Sequence, residues 1–168
     1  EMERACIAHL RAVNAMVDTT QYEVIDFQER EFEVEASVVI PVFNRAKTIC
    51  DAVKSALAQK TDFNFNVIVV DNHSTDGTGQ LLADMAKADK RLVVITPKRH
   101  DLGIGGCWNE AINSQWCGRF AVQLDSDDLY SSPATLKTIV EAFYKQKAAM
   151  VIGSYRMCDF ELNTLPPG

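Results

Sequence analysis

Two short apolar runs, Ser37 to Val42 and Val67 to Val70, contain almost no polar relief, and this restricts the fold more than any other feature of the chain. A strand with one wet face alternates apolar and polar residues, whereas a strand buried on both faces reads as continuous apolar sequence. Each run precedes a segment with helical periodicity. After the first, Ile49, Val53, Ala56 and Leu57 share a face; after the second, a helix opened by Ser74-Thr-Asp-Gly is carried by Leu81, Leu82, Met85 and Ala86. A third unit has strand Leu92 to Thr96, a Gly-broken loop and a helix around Cys107 to Ile112. A fourth has strand Phe120 to Leu124, then a helix with Ser132 as its cap, Pro133 in the first turn and Leu136, Ile139, Val140 and Phe143 on its buried face. Met150 to Ser154 is expected as a fifth strand. The pattern predicts an α/β fold, a mainly parallel sheet with helices on both faces and right-handed crossovers.

The 168 residues, 47% of them apolar, suffice for one core. Residues 1–35 differ from the rest: Ile7, Leu10, Val13 and Val17 fall at helical spacing, and Phe32, Val34 and Ala36 alternate. The expected division is a helix and extended lead-in over 1–35 and the α/β unit over 36–168. Glu23, Asp26, Glu29, Glu31, Glu33 and Glu35 are read as a solvated acidic face. Lys and Arg number 17 against 23 Asp and Glu, a net charge of −6, which argues against broad attraction to nucleic acid or anionic membrane. Any bound phosphate must then be held by local geometry or a metal. Five cysteines, an odd number without CxxC or zinc spacing, read as small core residues in a reducing compartment. No stretch has the roughly 20 apolar residues of a spanning helix, and the start lacks a signal-peptide pattern. A chain running from Glu1 to Leu-Pro-Pro-Gly is expected to be part of a longer polypeptide.

In parallel sheets ligands bind beyond the carboxyl ends of the strands. Four polar clusters fall there: Pro41-Val-Phe-Asn-Arg45, Asp71-Asn-His-Ser-Thr-Asp-Gly77, Pro97-Lys-Arg-His-Asp-Leu-Gly103 and Asp125-Ser-Asp-Asp128. Carboxylates about 5 Å apart at an effective dielectric near 20 repel by roughly 3 kcal/mol per pair. A hard dication such as Mg²⁺ or Mn²⁺, shared with a substrate diphosphate, would relieve Asp125, Asp127 and Asp128; an acidic helix-capping loop is the alternative. Asp71 and Asn72 can read the polar edge of a nucleobase. Ser74, Thr75 and Asp76 read as caps and His73 as a loop residue. Pro41 and Phe43 offer flat apolar surface for a base, or belong to the core. The glycines Gly103, Gly105 and Gly106 do not complete G-x-G-x-x-G, because Trp108 holds the last position; neither a P-loop nor a G-x-S-x-G elbow is present.

Together, Ser37-Val-Val-Ile-Pro-Val-Phe-Asn-Arg45, Val69-Val-Asp-Asn-His-Ser-Thr-Asp-Gly-Thr78, Gly103 with Asn109, and Leu124-Asp-Ser-Asp-Asp128 resemble family 2 glycosyltransferases of the GT-A fold, over about residues 36–155. The resemblance implies a nucleotide-diphospho-sugar donor, a UDP-sugar above others, Mn²⁺ or Mg²⁺, and transfer with inversion to a hydroxyl of a glycan or lipid-linked acceptor. Pro41, Phe43, Asn44 and Arg45 would border the base and ribose, with Asp71 and Asn72 at the base. Asp125, Ser126 and Asp127 would carry the Asp-x-Asp, with Asp127 on the metal and Asp125 on the metal or the ribose, or with Asp128 on the metal in a shifted register. Gly103 and Asn109 would flank the nucleotide. Asn72 replaces an Asp common in the family, and Trp108 an Arg, so that a phosphate contact would be lost or supplied by Lys98 or Arg99.

The general base of the family lies later in the chain than Asp128 by several tens of residues, and neither Asp159 nor Glu161 is assigned that role. The implied unit is a donor-binding half with little transferase activity by itself, in a cytoplasmic enzyme that works beside the inner face of a membrane. Two other readings are a GT-A-fold scaffold without catalysis and a sugar-phosphate nucleotidyltransferase, the latter opposed by the absence of glycine in Pro41-Val-Phe-Asn-Arg45.

Overall fold

The computed structural model describes residues 2–16, 26–27 and 31–166. Its elements run α1 (Met2–Ala12), β1 (Ala36–Val42), α2 (Ile49–Leu57), β2 (Phe65–Asp71), α3 (Thr78–Ala88), β3 (Leu92–Ile95), α4 (Ile104–Ile112), β4 (Phe120–Gln123) and α5 (Thr135–Gln146). The four strands form one wholly parallel sheet in the order β3-β2-β1-β4. Every residue of β1 and of β2 is buried, as their largely apolar sequence requires, Ser37, Asn66 and Asp71 being the polar exceptions.

Alternate residues divide the core between the two faces of the sheet. Val38, Ile40 and Val42 with Val67 and Val69 pack on one side against Ile49 and Val53 of α2, Leu82 of α3 and Leu136, Val140 and Phe143 of α5. Val39, Ile68 and Val70 meet Cys107 and Ala111 of α4 on the other. A buried polar network ties the lower ends of the strands together. Ser37 Oγ donates to Asn66 Oδ1 at 2.6 Å and accepts from Gly118 N at 2.8 Å, and Asn66 Nδ2 donates to Trp116 O at 2.8 Å.

Several expectations need correction. Met150 to Ser154 forms no strand: it joins no ladder, and Met150 and Ile152 are 75% and 83% exposed. Apolar sequence cannot make a strand where no neighbouring edge takes up its backbone groups. Helix α5 starts at Thr135; Ser132 instead closes a preceding turn, with its Oγ accepting from Ala134 N at 3.1 Å. Likewise α3 starts at Thr78, after Gly77 at φ 97°. Of the cysteines, Cys107 is buried, Cys50 and Cys117 are half-buried, and Cys6 and Cys158 are exposed. Glu35 is not part of a solvated face, since it pairs with Arg119 at 3.2 Å and accepts from Tyr144 Oη. Val17, Glu23 and Glu29 lie outside the described residues.

Candidate functional site

Strand register brings the ends of β1 and β2 level, with Val42 opposite Asp71. Strand β4 stops lower, at Gln123 opposite Val39, so that Asp125 to Asp128 climb past the end of its ladder. Pro41 sits in β1 beyond that last β4 pairing, where a missing N–H is tolerated. It is buried in the strand, whereas Phe43 is 55% exposed and presents its ring at the edge.

Side chains then join the four loops in the order of the strands. Arg45 Nε lies 3.6 Å from Asp127 Oδ2, linking the β4 loop to the β1 loop. Both side chains are about half exposed, so this pair adds little stability. The β1 and β2 loops are interlaced. Asn44 N donates to Ser74 Oγ at 2.9 Å, Thr75 N to Asn44 Oδ1 at 2.8 Å, Arg45 N to Thr78 Oγ1 at 3.0 Å and Ala46 N to Asp76 Oδ2 at 2.9 Å. Asn44 holds φ 52°, a left-handed conformation that Asn tolerates better than most residues. The Thr78 hydroxyl and Ala46 amide hold the Asp76 carboxyl below its ordinary range.

Asp71 is buried; its Oδ1 accepts from Ser74 N at 3.0 Å, and a Cβ on Gly79 would come 2.9 Å from its Oδ2. Asn72 Nδ2 donates to Leu102 O at 2.6 Å, joining the β2 loop to the β3 loop. Because a carbonyl only accepts, this contact fixes which end of the amide is nitrogen. Asn72 Oδ1 is left facing away, buried and without a partner.

In the acidic loop, Gln123 Nε2 donates to Asp125 Oδ1 at 3.0 Å, and Asp128 N donates to Asp125 O at 3.1 Å. Ser126 is buried. Although Asp128 is exposed at the surface, partial desolvation of its carboxyl first, and then the charges of Asp125 and Asp127, push it above its ordinary range. A carboxyl raised in the folded state binds more protons there than in the unfolded chain, so stability falls as pH rises from the ordinary carboxylate value through the raised one. In EDTA, Asp128→Asn is therefore expected to stabilise the protein at pH 7 and to flatten stability over that window; chemical denaturation from pH 3.5 to 7 checks it, and a variant less stable at pH 7 contradicts the assignment.

Gly103 caps α4 with open space around it, and Asn109 is exposed on that helix. Asn109 lines a groove with Lys98, Asn113 and Trp116, and residues 125–128 are not among the groove's lining. Arg99 is engaged by Asp101 through two hydrogen bonds of 2.9 and 2.7 Å. Among the described residues no three His, Cys, Asp or Glu side chains are grouped to hold an ion unaided. The donor set still suits a hard cation that takes one or two carboxylates and completes its shell with water and diphosphate. Two contacts had no signal in the sequence: His73 Nε2 lies 3.0 Å from Arg99 O, and the His73 and His100 rings stack at 3.7 Å.

The profile of glycosyl transferase family 2 matches residues 37–168. An uncharacterized glycosyltransferase of Rickettsia conorii is 37% identical over 98 residues, 58% of this chain and 15% of that protein. Chondroitin synthase of Escherichia coli is 31% identical over 166 residues, 92% of this chain and 23% of that protein. The structure of S. aureus TarS 1–349 in complex with UDP superposes with a TM-score of 0.57 at 30% identity, covering 68% of this chain and 33% of TarS. The chain thus spans a third or less of the length of these relatives. A parallel sheet with this loop arrangement and a family match across all of it lead to one assignment: the chain belongs to glycosyltransferase family 2 and has its GT-A fold.

Proposed function

We propose that this chain is the donor-binding part, carried by residues 36–168, of an inverting, metal-assisted glycosyltransferase that takes a UDP-sugar and transfers the sugar to a hydroxyl of a glycan or lipid-linked acceptor. The observation that carries the base reading is Asn72. Its Oδ1 has no partner and is closed off from solvent, so a base that displaces what covers it would supply the missing donor; leaving such an atom unsatisfied costs about 1–3 kcal/mol. Uracil N3–H and guanine N1–H are ring donors, whereas cytosine and adenine present a ring acceptor at the corresponding position. The half-exposed Phe43 ring at the same edge gives a base a flat surface. The likeness to a protein solved with UDP favours uracil of the two.

Asp127 and Asp125 would hold Mg²⁺ or Mn²⁺, with Asp128 beside them, and the ion would neutralise charge on the departing diphosphate. Arg45 adds a fixed positive charge at this edge, its backbone anchored by Thr78. Asp71 braces the loop that carries Asn72. Asp159 is held by its own turn, accepting from Asn163 and from Glu161 N, which lowers its carboxyl, so it is not assigned as the base that deprotonates the acceptor. No helix among the described residues is long and apolar enough to cross a membrane; the proposed setting is the cytoplasm, at the inner membrane face.

The test is a titration of the chain with UDP, GDP, CDP and ADP in Mn²⁺, Mg²⁺ or EDTA, followed by Trp fluorescence and thermal midpoint. At 100 times its dissociation constant a nucleotide that binds only the folded state stabilises by about 2.7 kcal/mol. UDP is expected to bind best, in a metal-dependent way, with CDP and ADP at least roughly tenfold weaker from the mismatched ring nitrogen. A preference for ADP, or no response to any nucleotide, would overturn the reading.

A further inference from the structure

The β3–α4 loop, residues 96–103, is anchored at its ends and bare at its tip. Pro97 is buried and Leu102 packs with the α4 side of the core, but Lys98, Arg99, His100 and Asp101 are exposed. Three contacts join this loop to the β2 loop. Asn72 Nδ2 takes Leu102 O, His73 Nε2 meets Arg99 O, and the two imidazoles lie face to face, 3.7 Å apart at 19°. An acceptor carbonyl at Arg99 puts a proton on His73 Nε2. His73 reaches the stack by holding φ 63°, a left-handed conformation in which His is enriched over most non-glycine residues, with its N donating to Asp71 O at 2.8 Å.

We propose that the His73–His100 stack is a latch that seats the β3–α4 loop on Asn72 and thereby sets nucleobase selection. Both imidazoles are positioning residues; neither is assigned a contact with the base. The chain of effect is short. The stack steadies the tip next to core-packed Leu102, Leu102 O orients the Asn72 amide, and that orientation makes Oδ1, itself closed off from solvent, the atom a base meets on entering. With the loop released, the amide can rotate and offer NH₂ in place of oxygen, so a base with a ring acceptor gains what a base with a ring donor loses. The inference rests on the donor-site reading of Asn72 and adds to it the element that makes the reading selective.

Two substitutions test it. His73→Asn removes the ring while keeping a residue suited to positive φ; His100→Phe keeps a flat partner for the stack. Hydrogen exchange of amides 98–103 and the UDP and CDP dissociation constants are measured on both and on the parent. In His73→Asn the loop amides are expected to exchange faster and UDP to bind roughly tenfold more weakly, the size of a strong aromatic contact, with the UDP to CDP preference reduced. In His100→Phe exchange, affinity and preference should stay near the parent values. Unchanged exchange in His73→Asn overturns the latch, as do faster exchange with unaltered nucleotide preference and a His100→Phe variant as impaired as His73→Asn. A parent chain that binds no UDP overturns the donor-site reading itself, an outcome kept separate because exchange still compares the two variants.

Discussion

Asp127→Asn is expected to erase the metal-dependent part of UDP binding while leaving the affinity measured in EDTA in place. The amide keeps the shape of the side chain but removes the charge that a hard cation seeks. Loss of this ligand should cost about 100-fold in Mn²⁺, at the upper end of what supporting shells contribute to metal sites. The unliganded fold should hardly notice, because Asp127 is half exposed and its pairing with Arg45 is long. In a transfer assay, activity abolished by the substitution with folding intact marks a catalyst; unaltered biological function marks a scaffold. Equal UDP affinity in Mn²⁺ for the variant and its parent would remove Asp127 from the metal site and pass the role to Asp125 and Asp128.

The largest effect on stability is expected at Ile40. It is fully buried in β1, the strand flanked by β2 on one side and β4 on the other, and it belongs to the larger of the two cores. Ile40→Ala removes three carbons from a position with strands on both sides and helices above, leaving little room for collapse, and should cost about 2–5 kcal/mol. Against a total stability of about 5–15 kcal/mol this is a large share. A denaturant midpoint lowered with an unaltered m-value checks it; a loss below about 1 kcal/mol would mean that the layer is loosely packed.

What the sequence made legible follows from what carries periodic information. Strands buried on both faces announce themselves as unbroken apolar runs, and β1 and β2 appear within two residues of their expected starts. Met150 to Ser154 shows the weakness of the same signal, since a strand also needs a neighbour and composition does not reveal one. The four strand-end clusters were legible as a group because parallel topology delivers them to one edge. How they interlock was not. The bonds from Asn44, Arg45 and Ala46 to Ser74, Thr75, Asp76 and Thr78 join residues about thirty apart without repeat or spacing. Asn44, expected at the edge of the nucleotide, also holds Thr75 N through its side-chain oxygen, a contact no sequence pattern signals. Glu35 departs from the expected solvated face for a related reason: five other acids nearby point to solvent, and only the fold brings up Arg119.

The interlaced first two loops carry a thermodynamic consequence. With each of residues 44, 45 and 46 fixed through its main chain to the β2 loop, Phe43, Asn44, Arg45 and Asn72 share one rigid frame before any ligand arrives. Freezing a free residue costs roughly 1–2 kcal/mol, and here that ordering is completed during folding rather than during association. Ligand capture at this half of the site should consequently be rapid and enthalpy-led. Substitutions at Ser74 or Thr75, which are not buried, should slow the encounter and make its entropy more unfavourable well before they lower the melting temperature.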